Sequence, residues 1–229
     1  MGNNVTAVLR LLWMDARFTF VAFWSTLIGL QIILFLLSLF FDGVVFVSGW
    51  FAVFIFATII GAVAVRNTFS TALGLSVPRK DFYAAVLIHF VLAALALAIL
   101  YIAMSDLEQF VSTLFSKGDF HFFTNPFFDV PVWLVLWLYF IAALSLMSIG
   151  HFFGSLYYRF GRAGIVAFFV IFILLMVLVE LLELWRLIDR LFAFIDVHDE
   201  IMLWLMLFNM MVLGAAWLFL RKAPSRKAG

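Results

Sequence analysis

Four side chains stand out in a sequence that is 67% hydrophobic and 12% charged: Gln31, His89, His151 and Asn209, each within a long apolar run. An amide or imidazole among aliphatic residues either bonds a neighbouring helix or lines a polar pathway. His89 follows Phe82 by seven residues and His151 precedes Tyr157 by six, so each lies about 10 Å from the inner end of its run. The two could share a depth and face one inward-open cavity, or each could simply bridge adjacent helices. Glu180 and Glu183 are the only acids inside the apolar runs, near the outer end of one, and with Arg186 they read as ion pairs at the outer interface. Catalytic constellations are missing. His151, Gly154 and Ser155 lack the flanks of an intramembrane serine protease, and no G-x-x-x-x-G-K-[ST] or H-E-x-x-H occurs. The cysteine count of 0 excludes disulfides, thiolate metal sites and a cysteine nucleophile. The expectation is a chain with no catalytic site, metal or cofactor of its own.

The elements that hold these groups follow from hydropathy. A mean hydropathy of +1.21 over 229 residues is far too apolar for a water-soluble fold, so lipid must be the solvent. Runs 18–41, 44–65, 82–104, 132–157, 164–183 and 201–220 each suffice to cross about 30 Å of hydrocarbon as a helix. The expected fold is all-α and polytopic, six transmembrane helices forming one transmembrane domain over 1–229. All four prolines fall outside the runs. With a cytoplasmic amino terminus, only Lys117, Arg186 and Arg190 of the 14 basic residues face outward, which puts both termini in the cytoplasm. Near-absence of charge inside the spans argues against a proton- or sodium-coupled carrier.

Other segments look interfacial. Val5, Val8, Leu9, Leu12, Trp13 and Ala16 share one helix face, so residues 4–16 read as an amphipathic helix on the inner surface, the alternative being a merely extended cytoplasmic start to the first span. Leu107, Phe110, Val111, Leu114 and Phe115 share another face outside the third span. Residues 184–196, with Leu184, Leu187, Ile188, Leu191 and Ile195 on one side, read as an outer amphipathic helix. Gly150 with Gly154, and Ala57 with Gly61, are small-x-x-x-small pairs that allow close helix contact. The inner loop 66–81 reads RNTFSTALGLSVPRKD. Phe69, Ala72 and Leu73 fit one side of a short helix ended near Gly74, with Ser76 as the N-cap of the next. Flanked by Arg66, Arg79 and Lys80, that helix is either a docking element for another protein or a basic loop that fixes topology.

These features together resemble the permease subunit of a bacterial type-2 ABC exporter, in its small six-span branch. The resemblance covers nearly the whole chain. Residues 4–16 resemble that family's interfacial elbow helix. The stretch FSTALGLSVPRKDF (69–82) resembles its coupling-helix segment, with a Pro before Arg79, and GSLYYRFGRAG (154–164) resembles its fourth-to-fifth span connection. The resemblance implies a separate cytoplasmic ABC ATPase, carrying ATP and magnesium, that docks on Phe69 and Leu73 as an apolar plug. Arg66, Arg79 and Lys80 would supply charge contacts. It also implies a second permease chain, as a homo- or heterodimer, in the cell membrane, and export of a peptide or amphipathic toxin. The alternative is a non-transporting immunity, sensor or assembly protein built on the same bundle. No nucleic-acid partner is expected.

Overall fold

Within lipid every backbone amide must find its partner inside the chain, and a helix achieves this one turn at a time. The computed structural model describes residues 2–38, 40, 45–46, 49–115, 120–123, 131–182, 197–221 and 223. Its helices are α1 (Gly2–Ser38), α2 (Gly49–Gly74), α3 (Arg79–Phe115), α4 (Val132–Leu181) and α5 (Val197–Arg221). All five are long and apolar enough to cross a membrane, which marks the chain as a membrane protein. The only sheet among the described residues is a two-residue parallel pairing of β1 (Val45–Phe46) with β2 (Phe120–His121). Gly49 N–H extends it by donating to the Phe122 carbonyl at 2.9 Å.

Helix α4 is one 50-residue element that doubles back. Gly161 inside it has φ 68° and ψ −157°, a backbone state essentially restricted to glycine. The rings of Phe153 and Phe168 lie 5.3 Å apart, and those of Phe152 and Phe168 5.5 Å. On a continuous helix, residues fifteen apart would be separated by about 22 Å. Residues 132–160 and 162–181 are therefore two arms folded against each other. Gly161→Ala is expected to destabilise the protein by about 1–3 kcal/mol, measurable as a lower denaturant midpoint in detergent. An unchanged midpoint would mean the turn tolerates a side chain.

Two pairs set the alignment of α1 and α3. Asn4 Nδ2 donates to Asp81 Oδ2 at 3.2 Å and Gln31 Nε2 to Glu108 Oε2 at 3.3 Å. Both pairs are 77 residues apart in sequence, so the two helices run parallel and in constant register over about 40 Å. This corrects two expectations. Residues 4–16 are not a separate surface helix, because α1 runs unbroken through them into the apolar stretch. Their amphipathic face is real, but Val8 and Leu12 are buried in the protein core rather than in lipid. Phe18 and Phe82, both expected as inner span ends, do not share a level either. By the register Phe82 sits beside Val5, about 20 Å along α1 from Phe18.

The contact between α2 and the first arm of α4 depends on small residues. A Cβ on Gly61 would strike the Met147 carbonyl oxygen, and one on Gly150 the Thr58 carbonyl oxygen. A Cβ on Gly154 would lie 2.7 Å from the Ala62 carbonyl oxygen. The two small-x-x-x-small patterns thus face each other and bring the backbones together.

Residues 66–81 are not a free loop. Helix α2 continues to Gly74, so no separate short helix forms over 69–73. Gly74 remains helical, and the chain leaves α2 through Ser76, whose φ is +60°. Ser76 N–H donates to the Leu73 carbonyl at 3.0 Å and Val77 N–H to Ala72 at 3.1 Å. This paired 5→2 and 6→1 closure is the Schellman arrangement, with Ser where glycine is usual. Ser76 is accordingly not the N-cap of α3. The Pro78 carbonyl begins that helix, accepting from Asp81 and Phe82 N–H at 3.0 and 3.1 Å. Ser76→Gly is expected to raise stability by about 1 kcal/mol by removing the left-handed penalty, seen as a higher denaturant midpoint. A fall would show that the hydroxyl supplies more than the turn costs.

The segment expected as an outer interfacial helix is the end of α3, where Leu107, Phe110 and Leu114 are exposed. The expected helix over 184–196 lies outside the described residues.

Candidate functional site

The corner where α2 turns into α3 carries the residues expected to couple to a partner. Phe69 and Ala72 are fully buried there. The Phe69 ring packs edge-on against Phe82 at 5.0 Å and Tyr158 at 5.1 Å, tying α2 to α3 and α4. It cannot serve as an external plug, since a Phe on a continued helix faces the neighbours that the helix packs against. Leu73 is half-buried against the same core. Arg66 and Lys80 are exposed. Arg79 is engaged elsewhere: its guanidinium donates to the Arg221 carbonyl and, at 2.8 Å, to the Ala223 carbonyl. A cation on the orphan carbonyls of a helix C-terminus is favourable, so Arg79 anchors α5 rather than a partner protein.

What the corner does present is Leu75, 68% exposed at the tip of the turn. Three residues further along the chain begins the lining of an open basin of about 640 Å³, formed by Pro78, Arg79, Lys80, Trp217 and Arg221. An apolar tip together with a basic, aromatic basin suits a protein surface with an apolar notch and acidic rim. The side chain that projects was one position past the expected helix end, and only the unusual turn at Ser76 reveals it.

Two of the polar residues in the apolar runs, Asn209 and Gln31, join helices. Asn209 Nδ2 donates to Ser145 Oγ at 2.9 Å, and Ser145 Oγ donates to the Ile141 carbonyl at 2.8 Å, linking α5 to α4. Gln31 links α1 to α3 through Glu108. His89 and His151 do not share a cavity. His151 is fully buried, with Phe90 of α3 edge-on at 5.3 Å and the Gly61 backbone of α2 against its ring. His89, next to Phe90 in sequence, points instead into a crevice between α1 and α3. Adjacent residues on a helix diverge by about 100°, so His89 faces a different side of α3 from Phe90, the residue that meets His151.

Glu108 is the polar residue that sequence reasoning passed over. It sits on the last turns of α3 yet is buried, accepting from Phe122 N–H at 2.8 Å, Phe123 N–H at 2.6 Å and Gln31 Nε2 at 3.3 Å. A carboxylate on two amide donors makes strong, charge-assisted bonds. It pins residues 122–123 against α1 and α3, where Phe123 meets Trp24 and Tyr101. The exposed Leu107 and Phe110 beside it hid the signal by mimicking a surface helix. Glu180 is exposed at the end of α4, whereas Glu183 and Arg186 lie outside the described residues.

No family model matches the chain, and neither a curated protein nor a solved structure does.

Proposed function

We propose that the chain is the membrane-spanning subunit of an ATP-driven exporter in a bacterial plasma membrane. ATP hydrolysis belongs to a separate cytoplasmic ATPase, and a second permease chain completes the pathway. The six apolar runs cross the bilayer with both termini cytoplasmic, the reversal at Gly161 supplying the inner turn between the fourth and fifth. What carries the proposal is the exposed Leu75 tip together with the basin of Lys80, Trp217 and Arg221. Leu75 takes the role first expected of Phe69, with Arg66 and Lys80 as charge contacts. The Schellman turn links this tip rigidly to α2 and α3, so a push on Leu75 moves two helices that cross the bundle. The cargo class is a peptide or amphipathic toxin.

The test is copurification with a coexpressed ATPase from the same operon, followed by transport in vesicles. Leu75→Asp is expected to lower ATPase recovery about tenfold without loss of folded permease, because the residue contributes little to the core. Full ATPase binding and transport in that variant would overturn the assignment. A second reading, a non-transporting immunity or assembly protein, is favoured by the sealed packing around His151 and Phe90. Absence of any copurifying ATPase, with function retained, would select it.

A further inference from the structure

The crevice between α1 and α3 combines charge and apolar surface in a way that neither helix needs for packing. It encloses about 390 Å³, and its floor is opened by three small residues, Ala16, Ala93 and Ala96. Phe20, Leu92 and Leu100 form apolar walls, and Arg10 and Arg17 stand on the rim with Trp13 between them. Both arginines are exposed, and no hydrogen bond or ion pair of either is seen among the described residues. Asp15, the nearest acid in sequence, is turned away and accepts from Thr68 Oγ1 of α2 at 3.0 Å. The register places Arg10 beside residue 87 and Arg17 beside residue 94, within the part of α3 that has no Asp, Glu, Lys or Arg. Two cations therefore lie alongside a helix face suited to hydrocarbon, an expensive position unless an anion joins them.

We propose that this crevice binds one anionic phospholipid of the inner leaflet. Its phosphate is held between Arg10 and Arg17, with the Trp13 indole at headgroup level and one acyl chain running past Phe20 toward Leu100. Guanidinium groups hold phosphate through paired, charge-assisted bonds, and an interfacial Trp suits the boundary between headgroup and chain. The offset between Phe18 and Phe82 then has a cause: on the α1 side the headgroup layer is drawn inward to Arg17, and the acyl chain fills the gap left by the alanines. A soluble anion would use the arginines but leave the apolar walls empty. An uncharged lipid would use the walls but not the arginines.

The full chain, purified in detergent, is titrated with dioleoylphosphatidylglycerol and separately with dioleoylphosphatidylethanolamine, and bound lipid is counted by native mass spectrometry. Wild type is expected to prefer phosphatidylglycerol about tenfold, in line with two cations near an anionic headgroup. Arg10→Gln with Arg17→Gln should bring that lipid down to the phosphatidylethanolamine level. Arg162→Gln, an exposed cation outside the crevice, should leave the preference intact. Ala93→Leu with Ala96→Leu should lower occupancy by both lipids by filling the floor. Helicity and monodispersity are checked for each variant, and if the crevice-filling pair misfolds, the arginine pair decides. A preference that survives loss of both arginines overturns the site. So does a preference lost equally in the Arg162 variant, or one matched by glycerol phosphate in competition.

Discussion

Glu108→Ala is expected to lower stability by about 3 kcal/mol or more, the largest effect of any single polar substitution here. The carboxylate accepts from Phe122 N–H, Phe123 N–H and Gln31 Nε2, all in a buried setting. Hydrogen bonds to a charged group contribute about 1.5–3 kcal/mol each, and donors left unpaired in a buried site lose their full desolvation cost. Glu108→Gln should recover part of the loss. It keeps one acceptor oxygen, but its NH₂ cannot accept from the second amide. Asp106→Asn, two residues away and exposed, should stay within about 0.5 kcal/mol of wild type. Denaturation of the detergent-solubilised chain with SDS, followed by circular dichroism, measures all three. Equal midpoints for the Glu108 and Asp106 variants would show that the carboxylate holds nothing in place.

The second large effect concerns the α2–α4 seam. Gly61→Ala and Gly150→Ala each drive a Cβ into a backbone carbonyl of the facing helix, and a backbone cannot rotate away as a side chain can. Overpacking of this kind costs about 1–3 kcal/mol, and Gly150→Leu should cost more still. The two alanine changes should be less than additive, because one separation of the helices relieves both clashes. Gly29→Ala and Gly214→Ala are the controls, since a Cβ there meets nothing within 4 Å and alanine is the better helix former. The same denaturation series reads out the set. If the seam variants match the controls, the helices are not held by backbone contact.

Much of the site's framework is legible in the sequence. The small-residue patterns at Ala57/Gly61 and Gly150/Gly154 pointed to a close helix contact, and they meet in one. Asn209 and Gln31 were recognisable as groups needing a polar partner, and each has one across a helix boundary. The placement of Phe69 was not legible. Nothing local distinguishes a helix that ends at Gly74 and displays Phe69 from one that continues and buries it. That choice depends on Phe82 and Tyr158, 13 and 89 residues further along the chain.

The apolar composition, with its 67% hydrophobic residues, settled the solvent and hence the helical class, because unpaired backbone cannot remain in hydrocarbon. Run lengths pointed to long membrane-crossing helices, and Gly161 sat between two of the runs as an available hinge. Registers were another matter. The 77-residue offset of α1 and α3 comes from two pairs at opposite ends of the helices, Asn4–Asp81 and Gln31–Glu108. Hydropathy cannot supply such an offset, since sliding one apolar helix along another leaves its pattern unchanged. Packing and polar pairing break that degeneracy: the slide they select puts Arg10 and Arg17 beside apolar α3, and the packing of Phe69 on Phe82 and Tyr158 leaves Leu75 exposed instead.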